Sequence, residues 1–592
     1  MSFFCNNIIS RLCCLKPSEQ FNREHEPLFA DVERQAVNQL IDFFENRSQV
    51  NFYEGEPLRA LSTLAYSGHF ELQRSAAIAF SEVSEADVRP VSRETLDPIL
   101  YLLQSPDFEV LRSASAALGN LAVDPQNKIL IVKIGGLEPL IRQMLSPNKE
   151  AQCNAVGCIT NLATAEENKS KIAKSGALIP LSRLAKSHDI RVQKNATGAL
   201  LNMTHSPENR MQLVSAGAVR VLVELLDASD SGVQYYSTTA ISNIAVDENS
   251  RAHLHQTEPS LVPKLIRLMD EPEANIRCQA ALALRNLASD DEYQRNIVIN
   301  GGLRGLKNML ISNDSYMVLA SVACLRNLSI HPGNESALLN SGFLMPLVQL
   351  LSSPTTIGIS SSNSEDNYVN YGEIACHSVS TLRNLSASSD NTKLLLVEYG
   401  ILPKIYSCLV NHHTTMLTKS EMTAALAVLA LCDTLKEPIL SSGFLEVLIP
   451  LTHATFIDVV GNSAAAIGNL SASVSDYSVF ISNWYEPEGG LQLYLQNFLS
   501  SEGEPTFLQI GVWTILQLVE SGNEELMKLI KSHDTIPGLL KKINTDYTAN
   551  SQYNQIGDLN GGSTYNPNPG NESYYQVAAL IQQVFKSLDL EL

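Results

Sequence analysis

The sequence predicts an all-α protein, a right-handed superhelical solenoid of about eleven to twelve short helical units, and three observations carry that prediction. A tripeptide opening on asparagine recurs at Asn120, Asn161, Asn202, Asn243, Asn286, Asn327, Asn384 and Asn469, with steps of 41, 41, 41, 43, 41, 57 and 85 residues. A glycine followed by an apolar turn, and often by a proline, keeps the same beat at Gly136, Gly176, Gly217, Gly302, Gly342, Gly400 and Gly443. After it the apolar residues fall at i, i+3 and i+4, as in Pro180-Leu181-Ser182-Arg183-Leu184-Ala185, which is the period of one buried helix face with proline tolerated in the first turn.

A period near 41 with two or three helices per unit is the armadillo/HEAT class, whose units cannot bury their apolar faces alone and therefore stack. The solenoid is placed at residues 31–543, with residues from about 31 to 66 as an N-terminal cap that covers the first exposed core face. The 85-residue step is two periods, with Val428 at the skipped asparagine, and Glu82 and Ile515 read as substituted rungs at the two ends. The 57-residue step contains residues 352–370, SSPTTIGISSSNSEDNYVN, whose Ser/Asn richness and lack of period predict a disordered loop. Residues 544–573 read as a polar, disordered linker, and 574–592 as an amphipathic C-terminal helix that either docks or binds.

Composition narrows the function. Lys plus Arg number 42 against 62 Asp plus Glu, a formal charge of −20, which argues against nucleic acid and against unaided adhesion to an anionic bilayer. The longest apolar run, Ala424 to Cys432, is half of the roughly 20 residues a transmembrane helix needs. No Gly-rich phosphate loop, no Ser/His/Asp arrangement and no metal-ligand spacing occurs, so no enzyme, cofactor or metal is expected, and His205, His331 and His377 sit at different offsets from their rungs. The cysteines Cys153, Cys158, Cys278, Cys324, Cys376, Cys408 and Cys432 lie in Ala/Leu-rich helical text and are expected to be buried small hydrophobes.

Asparagine is a poor residue for a helix interior, so its recurrence there needs an external cause. Each amide either joins a ladder to the neighbouring repeat or lines the surface and pairs with the backbone of a bound extended peptide, since an amide donates and accepts at once. Packed helices lie roughly 8–10 Å apart, about three residues of an extended chain, and that match favours the second role. The residue before the rung is small or apolar at Gly119, Thr160, Leu201 and Ser242 but is arginine in Arg285-Asn286, Arg326-Asn327 and Arg383-Asn384. Three guanidinium groups at equivalent positions make a cationic strip suited to carboxylates and predict an extended, acidic or polar partner; the competing expectation is that each pairs with a local Asp or Glu.

The stretches AQCNAVGCITNLAT (151–164), RVQKNATGALLNMTHSPENR (191–210), VQYYSTTAISNIAVDE (233–248), LALRNLASD (282–290), LASVACLRNLSIHP (319–332) and CHSVSTLRNLSAS (376–388) resemble the armadillo-repeat family, and within it the fungal vacuolar adaptors. The resemblance runs from about residue 31 to 543. It implies a non-enzymatic adaptor on the cytosolic face of the vacuole membrane, lipid-anchored and in part cytoplasmic, acting in vacuole inheritance, vacuole fusion, nucleus–vacuole contact and autophagy. The partners it implies are extended segments of a myosin receptor, an outer nuclear membrane junction protein and autophagy initiation factors, with self-assembly left open. Carried over, the client-binding residues would be Asn120, Asn161, Asn202, Asn243 and the three Arg-Asn pairs. A nuclear import receptor would need tryptophans one turn before the rungs, where Ala116, Gly157, Gly198, Thr239, Leu282 and Ala323 stand instead; a soluble catenin-like scaffold remains as the alternative on fold alone.

Family members begin Met-Gly and are expected to be myristoylated, but position 2 is Ser2. Stable attachment takes two lipid signals. Cys5, Cys13 and Cys14 can each take a palmitoyl group, with Phe3, Phe4, Ile8, Ile9, Leu12 and Leu15 as the apolar face that first meets the bilayer and Arg11 and Lys16 at the headgroups. Residues 1–30 therefore read as an acylated anchor.

Overall fold

The computed structural model describes residues 30–351, 364–500, 505–545 and 569–588, and every regular element among them is a helix. The chain divides into two compact units, Met1–Leu287 and Ala288–Leu592. Both are built from a motif of two short helices followed by a long one. The long helices of the first unit are α1 (Phe70–Ala86), α2 (Phe108–Leu121), α3 (Lys149–Leu162), α4 (Ile190–Thr204), α5 (Ser231–Ile244) and α6 (Ala274–Leu287). Those of the second are α7 (Ser315–Leu328), α8 (Ser364–Ser386), α9 (Met416–Leu429), α10 (Ile457–Ser471), α11 (Pro505–Glu520) and α12 (Pro569–Leu588). Within each unit, each long helix packs on the next.

The local reasons repeat with the period. Asp107, Asn148, Asp189 and Asp230 stand 41 residues apart at the N-caps of α2, α3, α4 and α5, and each side chain accepts from backbone N–H groups of the first turn, worth about 1 kcal/mol apiece. Small and branched residues then alternate on the packed face: α2 buries Val110, Leu111, Ala114, Ala117, Leu118 and Leu121. Each such leucine contributes about 1.5–3 kcal/mol by leaving water. The glycine marker works through the left-handed backbone at Gly176, Gly217, Gly342, Gly400 and Gly443. At the doubled glycines it is the earlier one, Gly135, that turns left-handed, while a Cβ on Gly136 would lie 2.6 Å from the Ile131 side chain and 2.8 Å from its carbonyl.

Several sequence expectations need correction. The loop expected over 352–370 ends sooner, because α8 begins at Ser364; residues 352–363 lie outside the described residues. The C-terminal helix begins at Pro569, not 574, and it docks: Val577, Ile581, Val584, Phe585 and Leu588 are buried, and the helix packs on α11 as the long helix of one further repeat. Ile515 is fully buried, unlike the half-buried rungs, so it is not a rung. Of the seven body cysteines, Cys158, Cys324 and Cys432 are buried, whereas Cys153, Cys278, Cys376 and Cys408 are half-buried. The expected cap is helical at Asp31–Glu45 and Gly55–Ala65, which pack together through residues such as Leu40, Phe44, Leu61 and Leu64.

Candidate functional site

All eight rung asparagines lie near the C-terminal ends of their long helices and are half-buried. Where their bonds are defined, the amide nitrogen reaches back to the preceding repeat. Asn161 donates to the Gly119 carbonyl at 3.2 Å, Asn202 to Thr160 at 3.1 Å, Asn286 to Ser242 at 2.9 Å and Asn469 to Ala427 at 2.8 Å. Each acceptor is the backbone of the residue just before the previous rung position. Asn120 follows the same rule at the Ser81 carbonyl, 3.4 Å away, with Ser84 Oγ at 3.2 Å, and so places Glu82 as the first rung. Asn243 and Asn384 use the hydroxyls of Thr204 and Ser329 at 2.9 and 3.0 Å. These seven amides thus form a ladder between repeats. One amide hydrogen is committed to it, and the half-buried remainder stays at the surface.

Two further amide series were missed in the sequence. Asn127, Asn168, Asn209 and Asn334 each stand seven residues after a rung and are almost fully buried. Asn168 Nδ2 donates to Lys128 and Leu162 carbonyls at 2.9 and 3.1 Å, and Asn334 Nδ2 to Gln294 and Leu328 carbonyls, both at 3.0 Å, so each ties the end of one long helix to the start of the next short one. Asn154, Asn195 and Asn462 stand seven residues before a rung and bond the carbonyls of Arg112, Cys153 and Ser420 in the preceding long helix. The signal was present as Asn-x6-Asn spacing, which only the rungs themselves had been used to read.

The arginines have different surroundings. Arg285 is exposed on α6. On α7, Arg326 Nε donates to Ser380 Oγ of α8 at 3.2 Å. On α8, Arg383 Nη1 pairs with the Glu421 carboxylate of α9 at 2.9 Å. The expectation of a local carboxylate partner therefore holds at Arg383, and the strip is not uniformly cationic. Burial first, then the Glu421 and Glu373 carboxylates, push the neighbouring Cys376 thiol up, while Arg326 and Arg383 act against this. At the other end of the rung series, burial raises the Glu82 carboxyl to about 7, with Arg47 opposing the shift. Among the described residues no cluster of three His, Cys, Asp or Glu could hold a metal ion, and no helix is long and apolar enough to cross a membrane. Cys5, Cys13 and Cys14 lie outside the described residues.

Four stretches, 124–164, 165–205, 206–246 and 257–289, match the family model of the Armadillo/beta-catenin-like repeat, and the first three each span two short helices and one long helix. Vacuolar protein 8 of Schizosaccharomyces pombe is 59% identical over 541 residues, 91% of this chain and 94% of that protein. The chain belongs to the Vacuolar protein 8 family. The Saccharomyces cerevisiae member is 51% identical over 554 residues, 94% of this chain and 93% of its own. Among solved structures, an engineered protein aligns at 28% identity with a TM-score of 0.61, covering 70% of this chain and 98% of its own. A chain solved in work on a phosphorylation switch between cadherin and beta-catenin aligns at 15% identity with a TM-score of 0.65, covering 90% and 98%, and so shares the armadillo fold.

Proposed function

We propose that the chain is a vacuole-associated armadillo adaptor that holds extended segments of client proteins along its rung-bearing helices and is attached to the cytosolic face of the membrane by palmitoyl groups on Cys5, Cys13 and Cys14. Membership of the Vacuolar protein 8 family supports the location and the scaffold role. The clients would be those of vacuole inheritance, nucleus–vacuole contact and autophagy: a myosin receptor, an outer nuclear membrane junction protein and autophagy initiation factors.

The observation that carries the binding role is the ladder itself. Asn120, Asn161, Asn202, Asn243, Asn286 and Asn384 each have one amide hydrogen bonded within the protein and the rest of the group half-exposed. An amide so fixed is pre-oriented for a second partner, and pre-orientation lowers the entropy cost of binding a peptide backbone. Asn327, between Arg326 and α7's end, belongs to the same series by position. Arg285, Arg326 and Arg383 would add recognition of acidic side chains.

Binding is tested by titrating a fluorescein-labelled hexaglutamate peptide into the full chain and into the triple change Arg285→Glu, Arg326→Glu and Arg383→Glu. The triple change is expected to lower affinity by more than a hundredfold; unchanged affinity refutes the groove. The anchor is tested by labelling with a palmitate analogue and membrane fractionation. Changing all three N-terminal cysteines to Ser is expected to abolish label and membrane association together, and a soluble, unlabelled wild type would reduce the reading to a soluble armadillo scaffold.

A further inference from the structure

We propose that Glu421 is a resident competitor for Arg383: its carboxylate occupies the guanidinium that an acidic partner segment would take, so that such a segment must displace it. The proposal rests on the groove reading above. Arg326 and Arg383 occupy the same position, the residue before the rung, on successive long helices of the second unit. Each reaches forward to the next long helix, and what it meets there differs. Arg326 meets the neutral hydroxyl of Ser380, which leaves its charge unmatched at that contact. Arg383 meets the Glu421 carboxylate, held at 2.9 Å with side chains 30% and 18% exposed. A half-buried pair of this kind cancels the field an approaching carboxylate would feel, and exchanging its anion for an incoming one yields only the difference between two similar interactions. Arg326 is therefore the site that attracts acidic segments, and Arg383 becomes available only to a segment whose charge density or fit outbids Glu421. Glu421 sets how acidic a partner must be.

The test uses the full chain and the same hexaglutamate probe at fixed ionic strength. Glu421→Gln is expected to tighten binding roughly five- to tenfold, and Arg383→Gln is expected to cost far more affinity in the Glu421→Gln background than in the wild type. Equal or weaker binding by Glu421→Gln overturns the proposal. Should that variant not fold by its circular-dichroism melt, wild-type backgrounds decide instead: Arg326→Gln must weaken binding more than Arg383→Gln, and equal losses overturn the proposal. If Arg326→Gln has no effect on the probe at all, the groove reading itself fails and takes this inference with it. If Arg326 matters and Glu421 does not, only the inference fails.

Discussion

Beside the rungs of the first unit stand Gly119, Thr160, Leu201 and Ser242, with an arginine only at the last, Arg285, and seven residues before two of these rungs lie the amides of Asn154 and Asn195. In the second unit the corresponding places hold Arg326, Arg383, Ala427 and Gly468, with His377, Glu421 and Asn462 seven residues before the last three rung positions. The bonds of the ladder explain how one scaffold tolerates both. Asn161, Asn202, Asn286 and Asn469 take the backbone carbonyl of the residue before the previous rung, not its side chain. That side chain is thus released from the work of stacking repeats, and it varies from glycine to threonine, serine and alanine without loss of the bond, while after Arg326 the next rung, Asn384, takes the Ser329 hydroxyl instead. The ladder keeps the repeats in register, and the residue beside each rung varies the surface.

The largest effect expected is in what the units share. Asn168→Ala in the first strands one buried and one half-buried carbonyl and Asn334→Ala in the second two buried ones, which should cost roughly 3 kcal/mol each by urea unfolding. A loss confined to one unit would show that the frame is not common to both. Next come two glycines at the same position before a rung. A Cβ on Gly468 would lie 2.8 Å from the Trp513 ring, whereas on Gly119 its nearest neighbour is 3.8 Å away. Gly468→Ala should destabilise by about 1–3 kcal/mol, and Gly119→Ala should stabilise by up to about 1 kcal/mol through helix propensity. Thermal melts of the two variants moving in the same direction would erase that contrast.

A smaller difference is expected between the arginines. Arg383→Gln leaves Glu421 without its ion-pair partner, while Arg326→Gln loses one bond to a hydroxyl. The first should cost about 1 kcal/mol more than the second in denaturant titrations, a figure reduced for the pair's partial exposure to solvent. A pH-dependent effect concerns Glu82, the carboxyl at a rung position where eight other repeats have an asparagine. Its folded-state value, raised from 4.5 to about 7 by burial, means that the folded chain holds a proton the unfolded chain releases. The stability it contributes is full below about 4.5 and is lost as pH rises through about 7. Glu82→Gln should flatten that part of the pH–stability curve, and an unchanged slope would show that Glu82 does not titrate there.

Much of this was legible in the sequence. The period of 41 gave the repeats because every unit must bury the same faces, and it located the long helices through Asn120 to Asn469. The bonding of the rungs was not legible, because a half-buried amide is compatible with either a ladder or a bound peptide until its neighbour is placed. Asn168 and Asn334 escaped notice because their burial depends on short helices that carry little period of their own. The Arg383–Glu421 pair was foreseen only in kind: the two residues are 38 positions apart, and the intervening turn decides whether they meet. The helical start of α8 at Ser364 ran against a Ser/Asn-rich text that reads as loop.

The central claim is that the arginines beside the rungs, Arg326 and Arg383 of the second unit foremost, supply the charge-dependent part of client binding on a ladder of uncharged amides. It is tested most directly by the salt dependence of hexaglutamate affinity in the wild type and in the double change Arg326→Gln, Arg383→Gln. The account predicts that wild-type affinity falls steeply as salt rises and that the double change abolishes most of this slope while leaving the melting curve of the protein cooperative. A slope that survives the double change intact would place the acidic peptide elsewhere and contradict the account.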